Sequence, residues 1–570
     1  LTKSGFIATL LIGGICASYL YFSQLGAGKF DWFSPKDAQY NLLTQAFLAG
    51  SAHLLVTPPR ELLNLPNPQD PVANRRYRLH DTALYQGKYY SVYGPTPVLT
   101  TFGPYRLLTG ADFPTNAAAF VYAAGGFLFS VALYLAFQAQ MGVEQPPTLQ
   151  RLCILMLGLC QFVPATLRRP WFYETAILSG YCFAMAGFYF LFRATVEERR
   201  WATPAAGLCF ALTLGARPIY VLVPLLAIGF FLATRRRAFH SRELYLLAAP
   251  IAAGYLLMGW YNYIRFGSPF ETGHRYALTL LRHLVAKPQL VNVPPSLFLM
   301  LLCPFHVDRV FPFLHFFAPD LPGLPLGFYR EYAVGAFIGT PILSIAGFLF
   351  YAKGLQSRSR LFGVLLLLSA GSAMVLIASV GWVTQRYAVD FVPELLLLAC
   401  WSLGPLWRGW KVYVLGAAIV FSIVVQTTLG IGGVYDDFFY EHPGSYWSLG
   451  DRLTDFVQGR KPAPNPLEGP AFTAFRRPMD WWTMGVLDNP ARGNVNQRVF
   501  TLEDGEVSRG LRVGDTLEFR SSGLRRVKAI HREDGLVLIE LDEKINPLMD
   551  GWPRPIRKIS GPSQPASQPK

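Results

Sequence analysis

The sequence predicts a polytopic α-helical membrane protein of about 11 transmembrane helices, with amphipathic helices in its external loops and a small β-rich C-terminal external domain. Three observations carry that prediction. Hydrophobic residues fill 52% of the 570 positions and charged residues only 15%. The apolar residues gather in runs such as 5–20, 117–137, 152–167, 176–192 and 361–380, and a helix of about 20 apolar residues crosses about 30 Å of hydrocarbon. Short basic connectors separate the runs.

The formal charge of +15 does not signal nucleic acid, because its placement follows the membrane. Arg193, Arg199 and Arg200 form one cluster, and Arg235, Arg236, Arg237 and Arg242 a second. Lys353, Arg358 and Arg360, then Arg408 and Lys411, complete the pattern. Basic connectors of this kind stay on the cytoplasmic side. Together with Lys3 they predict a cytoplasmic N-terminus and an extracytoplasmic C-terminal domain, and the absence of an Asn-x-Ser/Thr sequon fits a bacterial inner membrane. The cysteines (16, 153, 160, 182, 209, 303 and 400) lie in or beside apolar runs, so no structural disulfide and no zinc spacing is expected. The first run lacks a small-x-small cleavage site and reads as a retained helix, not a signal peptide.

In chain order, a helix over 5–22 leads into a long external segment, 23–115. There Asp31 and Asp37 follow the first helix closely, and Asp37 opens a segment with Leu42, Leu43, Ala46 and Phe47 at helical spacing. Residues 57–77 are rich in proline and asparagine and predict an extended loop. Arg75, Arg76 and Arg78 then precede His80-Asp81 and the tyrosine-rich QGKYYSVYGPTP, and 98–108 predicts a helix lying on or dipping into the membrane. Further spans are expected at 116–139, 151–167, 174–193, 203–216, 218–233, 243–264, 335–353, 362–382, 388–406 and 411–431. Arg217-Pro218 divides the fifth and sixth spans: proline removes a backbone donor, arginine is costly in lipid, and the pair marks a turn at the external surface.

A second large external loop, 265–334, holds RFGSPFETGHRY, a membrane-lying stretch at 293–305 and His306-Val307-Asp308-Arg309. The transmembrane domain thus spans 1–431. An irregular external linker, 432–498, leads to a β domain at 499–560, whose DTLEFR, RRVKAIH and LVLIELD alternate like strands, and 561–570 is a disordered Ser/Pro/Gln tail.

The polar residues at helix ends fall on one predicted face, the external one: Asp31, Asp37, Asp81, Glu174, Arg217, Arg265, Glu271, His274, His306, Asp308, Arg386 and Asp390. Arginine offers planar paired donors to phosphate oxygens, and a carboxylate can take a proton from an acceptor hydroxyl. Arg217, Arg386 and Arg265 are the candidates for phosphate, though each also fits a membrane-edge anchor. Asp37, Asp81 and Glu174 are the catalytic candidates. Asp37 equally fits a helix N-cap, and Asp31 remains an alternative base. Tyr40, Tyr89, Tyr90 and His306 are the candidate substrate contacts. His306 and Asp308 do not by themselves make a metal site, and no cofactor is indicated.

These residues carry a resemblance to the polytopic glycosyltransferases of the C-type fold. The matching stretches are Asp37-Ala38-Gln39-Tyr40 after the first helix, RRPWFYETA with Glu174, Arg217-Pro218, and the RYAVDFVP beginning at Arg386. RFGSPFE at 265–271 also resembles members of this group. The resemblance spans roughly 1–430 and implies an inverting transfer of a sugar, arabinofuranose or another pentose among them, from a polyprenyl-phosphate donor to the hydroxyl of a glycan, lipid or protein acceptor. The partners it implies are that donor, the acceptor and membrane lipids, with no nucleic acid. Many members pair Asp with Glu in this loop, whereas Asp37 is followed by Ala38, so Asp31, Asp37 and Asp81 stay open as the base. A lipid or solute transporter or flippase is the alternative; it predicts internal repeats and mid-membrane polar sites.

Overall fold

A computed structural model of the chain describes residues 3–24, 39–70, 73–74, 76–141, 145–234, 242–279, 288–307, 311–317, 319, 321, 323–325, 328–351, 355–434, 452–453, 456–457, 499–503, 510–519, 523–533, 536–543 and 556–560. It divides into two compact units, one formed by Leu1–Leu25, Lys29–Phe305 and Gly323–Val434, the other by Gly26–Gly28, His306–Pro322 and Tyr435–Lys570.

The first unit is a helical bundle. Among the described residues, seven helical spans are long and apolar enough to cross a membrane: Gly5–Ser23, Thr115–Gln140, Pro147–Leu167, Phe172–Thr195, Arg242–Phe266, Ser357–Val380 and Lys411–Gly432. Shorter apolar segments at Ala202–Ala216, Pro218–Thr234, Pro341–Tyr351 and Val392–Leu406 account for the other expected spans. The protein is therefore a multi-pass helical membrane protein. Burial orders the bundle: 83% of the most apolar stretch of Phe172–Thr195 is buried inside the protein, against 17% for Gly5–Ser23 and for Arg242–Phe266.

Small residues let the central helices approach, as they do where lipid supplies no hydrophobic drive between helices. Gly126 faces the Tyr181 ring, Gly180 the Tyr220 ring and Gly187 the Phe210 ring, each closer than a side chain would allow. Gly207 likewise lies against the Leu246 and Leu247 carbonyls.

Prolines set the main departures from the expected spans. The segment expected as one helix over 151–167 is two, Pro147–Leu159 and Val163–Leu167. Phe162 takes a left-handed conformation (φ 62°) between them, and Pro164 opens the second piece, a position where its missing N–H costs nothing. The segment expected at 335–353 is a turn, Ala336–Gly339, followed after Thr340 by the tighter 3-10 winding of Pro341–Tyr351. Residues expected to open the span at 388 instead form a 3-10 turn, Gln385–Asp390, and the α-helix Val392–Leu406 begins with Pro393 in its first turn. Arg217 is extended (φ −151°, ψ 136°) ahead of Pro218, as proline requires of its predecessor, so the expected break is present.

The first long loop is more ordered than its composition suggests. Within the expected extended stretch 57–77, Arg60–Leu63 forms a helical turn. Buried Asn74 closes a second turn by donating to the carbonyls of Pro68 and Leu278. The tyrosine-rich stretch is an antiparallel hairpin, Thr82–Tyr85 with Lys88–Ser91. Its Gln86-Gly87 turn has positive φ at both residues, the conformation that matches strand twist in tight hairpins. Ala83, Tyr90 and Phe266 form a small core beneath it. The expected amphipathic segments are the helices Gln39–Leu48, Val293–Leu302 and Gly103–Thr109, the last preceded by a π-helical turn at Val98–Phe102.

The second unit contains the hairpin His306–Val307 with Leu314–His315 and a five-stranded antiparallel sheet in the order Ile556–Ser560, Thr516–Phe519, Gly523–Glu533, Leu536–Leu541, Val499–Glu503. The three middle strands are those the alternation predicts, and Leu517, Val527, Val537, Ile539 and Leu541 supply buried side chains.

Candidate active site

Three chain breaks create the site. Phe172–Thr195 begins after Pro170 and carries Glu174 in its first turn, where a carboxylate suits the helix N-terminus. Ala202–Ala216 stops at Arg217. The turn Gln385–Asp390 carries Arg386, Tyr387 and Asp390 just ahead of Val392–Leu406. These helix ends meet, and the charges form two linked groups.

In the first group, Arg386 Nη1 lies 3.2 Å from Glu331 Oε2 and 3.7 Å from Glu174 Oε1. In the second, Arg217 Nη2 lies 3.4 Å from Asp390 Oδ2, and the Tyr220 hydroxyl donates to Asp390 Oδ1 at 3.3 Å. Tyr387 joins them: its ring centroid is 4.7 Å from the Arg217 guanidinium carbon and 5.8 Å from that of Arg386. Tyr173 adds a second ring 5.0 Å from Arg386. Glu174, Asp390 and Glu394 are buried, and each has one carboxylate oxygen with no hydrogen-bond partner among the described residues. Burial pushes the Asp390 carboxyl up to about 6, outweighing the opposing pull of Arg217 and the Tyr220 hydroxyl. Burying charge costs several kcal/mol per ion before pairing offsets it. A cluster of this kind at helix ends in a membrane protein marks a functional site more often than a structural one.

Tyr93 connects the cluster to the first loop. Its ring meets Phe172 edge-on at 4.8 Å and Tyr173 at 5.6 Å. Burial and the charge of Asp81 push its hydroxyl up while Arg386 pulls it down, and Tyr40 and Tyr387 lie within the same electrostatic range. Gly94 fixes this placement, because a Cβ there would collide with the Gly215 carbonyl, and the Thr96 hydroxyl donates to the Leu212 carbonyl at 2.7 Å. Asp81 adopts φ 49°, accepts from the Thr279 hydroxyl and lies 3.5 Å from His80 Nε2. A left-handed aspartate is a strained choice of the kind found at functional turns. Gln39 donates to the His80 carbonyl at 2.6 Å, tying the start of the helix Gln39–Leu48 to the same turn. His274 is held below its usual range by burial and Arg265, against Glu271 and Asp81.

Of the candidates read from the sequence, Glu174, Arg217 and Arg386 come together; Asp81 and Tyr40 act electrostatically on Tyr93, and Tyr40, read as a substrate contact, is buried against Phe102 at 5.3 Å. Glu174 is buried, and Arg386 of the turn Gln385–Asp390 lies against it. Arg265 stands apart. Its nitrogens donate to the carbonyls of Tyr261 and Ser91 and to Asn262 Oδ1, which secures the hairpin to the helix Arg242–Phe266. Tyr89 and Tyr90 are buried strand residues, not an open stacking surface; Tyr90 packs on Phe266 at 5.2 Å. His306 belongs to the second unit, where its ring lies 6.1 Å from Phe317. Asp31, Asp37 and Asp308 lie outside the described residues. Among the described residues, no group of three or more His, Cys, Asp or Glu could hold a metal ion. Glu331, Tyr173, Tyr220, Tyr387 and Glu394 are the members that sequence reading missed. Tyr387 and Glu394 flank the recognised Asp390, so their signal was present; Glu331 lies 55 positions from its partner Arg386, with no local signature.

No protein-family model and no curated protein matches the chain. Among solved structures it is similar to ArnT from Cupriavidus metallidurans bound to undecaprenyl phosphate, with 11% identity and a TM-score of 0.41 over 94% of this chain and 98% of that one. It is also similar to the archaeal oligosaccharyltransferase AglB from Archaeoglobus fulgidus, in complex with an inhibitory peptide and a dolichol-phosphate. There the identity is 12% and the TM-score 0.40, over 82% of this chain and 61% of that one.

Proposed function

We propose that the protein is a membrane glycosyltransferase of the C-type fold, moving a sugar from a polyprenyl-phosphate donor to an acceptor hydroxyl with inversion at the anomeric carbon. The observation that carries the reading is the pairing of two arginines with buried carboxylates around Tyr387 at one end of the helix bundle. Arg386 and Arg217 bind the donor phosphate and stabilise its charge as the bond from the anomeric carbon to phosphate oxygen breaks and the oxygen keeps the electron pair. An acid of the first loop, Asp37 or else Asp81 or Asp31, takes the acceptor proton as the new glycosidic bond forms. Glu174 faces the oxocarbenium-like centre with its remaining oxygen. The acceptor, a glycan, lipid or protein, enters from the outer face of the bacterial inner membrane, on the side of Tyr93 and Asp81.

The test is transfer of radiolabelled sugar from a panel of polyprenyl-phosphate donors, pentose donors included, in membranes holding the full chain. Wild type transfers, and Asp37→Asn loses about 100-fold or more, the scale of a general base. An active Asp37→Asn with an inactive Asp81→Asn assigns the base to Asp81. Movement of labelled donor across the bilayer without transfer would replace the reading with a flippase.

A further inference from the structure

Arg386 carries more negative charge than a phosphate-binding arginine needs. Glu331 meets it end-on, Oε2 at 3.2 Å from Nη1 and Oε1 at 3.5 Å from Nη2, while Glu174 lies 3.7 Å from Nη1. Two carboxylate oxygens opposite two terminal guanidinium nitrogens is also the arrangement in which arginine takes a phosphate. With Asp390 on Arg217, three carboxylates face two guanidiniums at short range. Arg169 adds a further cation near Glu174, where Glu331 also acts as a like charge. A phosphate entering this buried place adds negative charge, which is costly unless a carboxylate withdraws.

The three differ in the backbone that carries them. Asp390 is buried completely in a short turn and is held by both Tyr220 and Arg217. Glu174 is fixed in the first turn of the most buried membrane helix. Glu331 belongs to a loop: it follows the two-residue strand Tyr329–Arg330, which pairs in parallel with Trp382–Val383, and its own N–H donates to the Val383 carbonyl. Its carboxylate also has a second donor, the Tyr329 hydroxyl at 3.0 Å, to hold it once it leaves Arg386.

We infer that Glu331 is a displaceable counter-anion, occupying the face of Arg386 that a lipid phosphate takes and yielding to it, so that the buried guanidinium stays paired until the phosphate arrives. The inference rests on the reading of Arg386 as the donor-phosphate arginine. It assigns Glu331 a competing role exerted through Arg386, opposite in sign to a structural one: a strut strengthens ligand binding, a competitor weakens it.

Binding of a polyprenyl monophosphate, inorganic phosphate and neutral polyprenol is measured on the full chain in nanodiscs, for wild type, Glu331→Gln and Glu331→Ala. Because apparent affinity scales with the fraction of protein whose arginine is free, removing the competitor tightens polyprenyl monophosphate binding by about tenfold. Neutral polyprenol shows no gain in either variant. A gain for the lipid alone identifies the ligand as a lipid headgroup, and an equal gain for inorganic phosphate shows that the phosphate suffices; both outcomes support the inference. The second variant guards against a folding defect in the first. Wild-type binding that is unchanged or weakened in both variants overturns the inference and leaves the proposed function standing. No binding of polyprenyl monophosphate by any of the three proteins overturns both.

Discussion

At the scale of single residues, Asp390 shows what burial does to a paired carboxyl. Its carboxyl lies between Arg217 and Tyr220, yet burial raises its pKa to about 6 from the ordinary 3.8. A raised carboxyl pKa means that the folded chain holds this proton more tightly than the unfolded one. The group favours folding below about pH 4, and that contribution is lost as pH rises through about 6. Function runs the other way, since only the ionised carboxylate holds Arg217. Transfer is therefore expected to rise with pH through a limb near 6 that Asp390→Asn removes, the mutant giving a low and flat profile across that range. A pH series of initial rates for both proteins checks this, and an unaltered limb in the mutant would assign the titration to another group.

At the scale of elements, local chemistry was legible and long-range closure was not. Arg217-Pro218 announces its own break, because proline dictates the conformation of the residue before it. The hairpin turn Gln86-Gly87 carried a readable glycine signal too, masked by the dense tyrosines on either side. Glu331 could not be read, because its partner is brought to it by the parallel pairing of two short strands from distant segments. Gly94 lies between these cases: its sequence neighbours suggest only a turn, whereas the bundle requires it to be bare against the Gly215 carbonyl. Gly94→Ala is expected to cost about 1–3 kcal/mol, as overpacking does, and to reduce transfer by moving Tyr93 away from the Arg386 cluster. Gly13→Ala, with no atom within 4 Å of the added carbon, is expected to be silent. Thermal unfolding in detergent and transfer rates on the two variants test the contrast.

For the whole molecule, the same alternation of ends that builds the site also sorts charge by side. Glu174, Arg217, Arg386 and Asp390 occupy one set of helix ends. Basic residues occupy the other: Arg199 and Arg200 before Ala202–Ala216, Arg358 and Arg360 at the start of Ser357–Val380, and Arg408 and Lys411 before or at the start of Lys411–Gly432. Short basic connectors remain in the cytoplasm during insertion, so the arginine–carboxylate cluster is expected on the outer face. Single cysteines can report this directly, because all seven native cysteines are buried or half-buried in the membrane unit. Trp201 is 61% exposed beside a basic connector, and Phe270 is 91% exposed in the loop after Arg242–Phe266. In intact spheroplasts a membrane-impermeant maleimide is expected to label Phe270→Cys at once and Trp201→Cys only after lysis. The reverse pattern would put the cluster in the cytoplasm, where the proposed acceptors of the outer face do not reach it, and the reaction would then have to draw its acceptor from inside the cell.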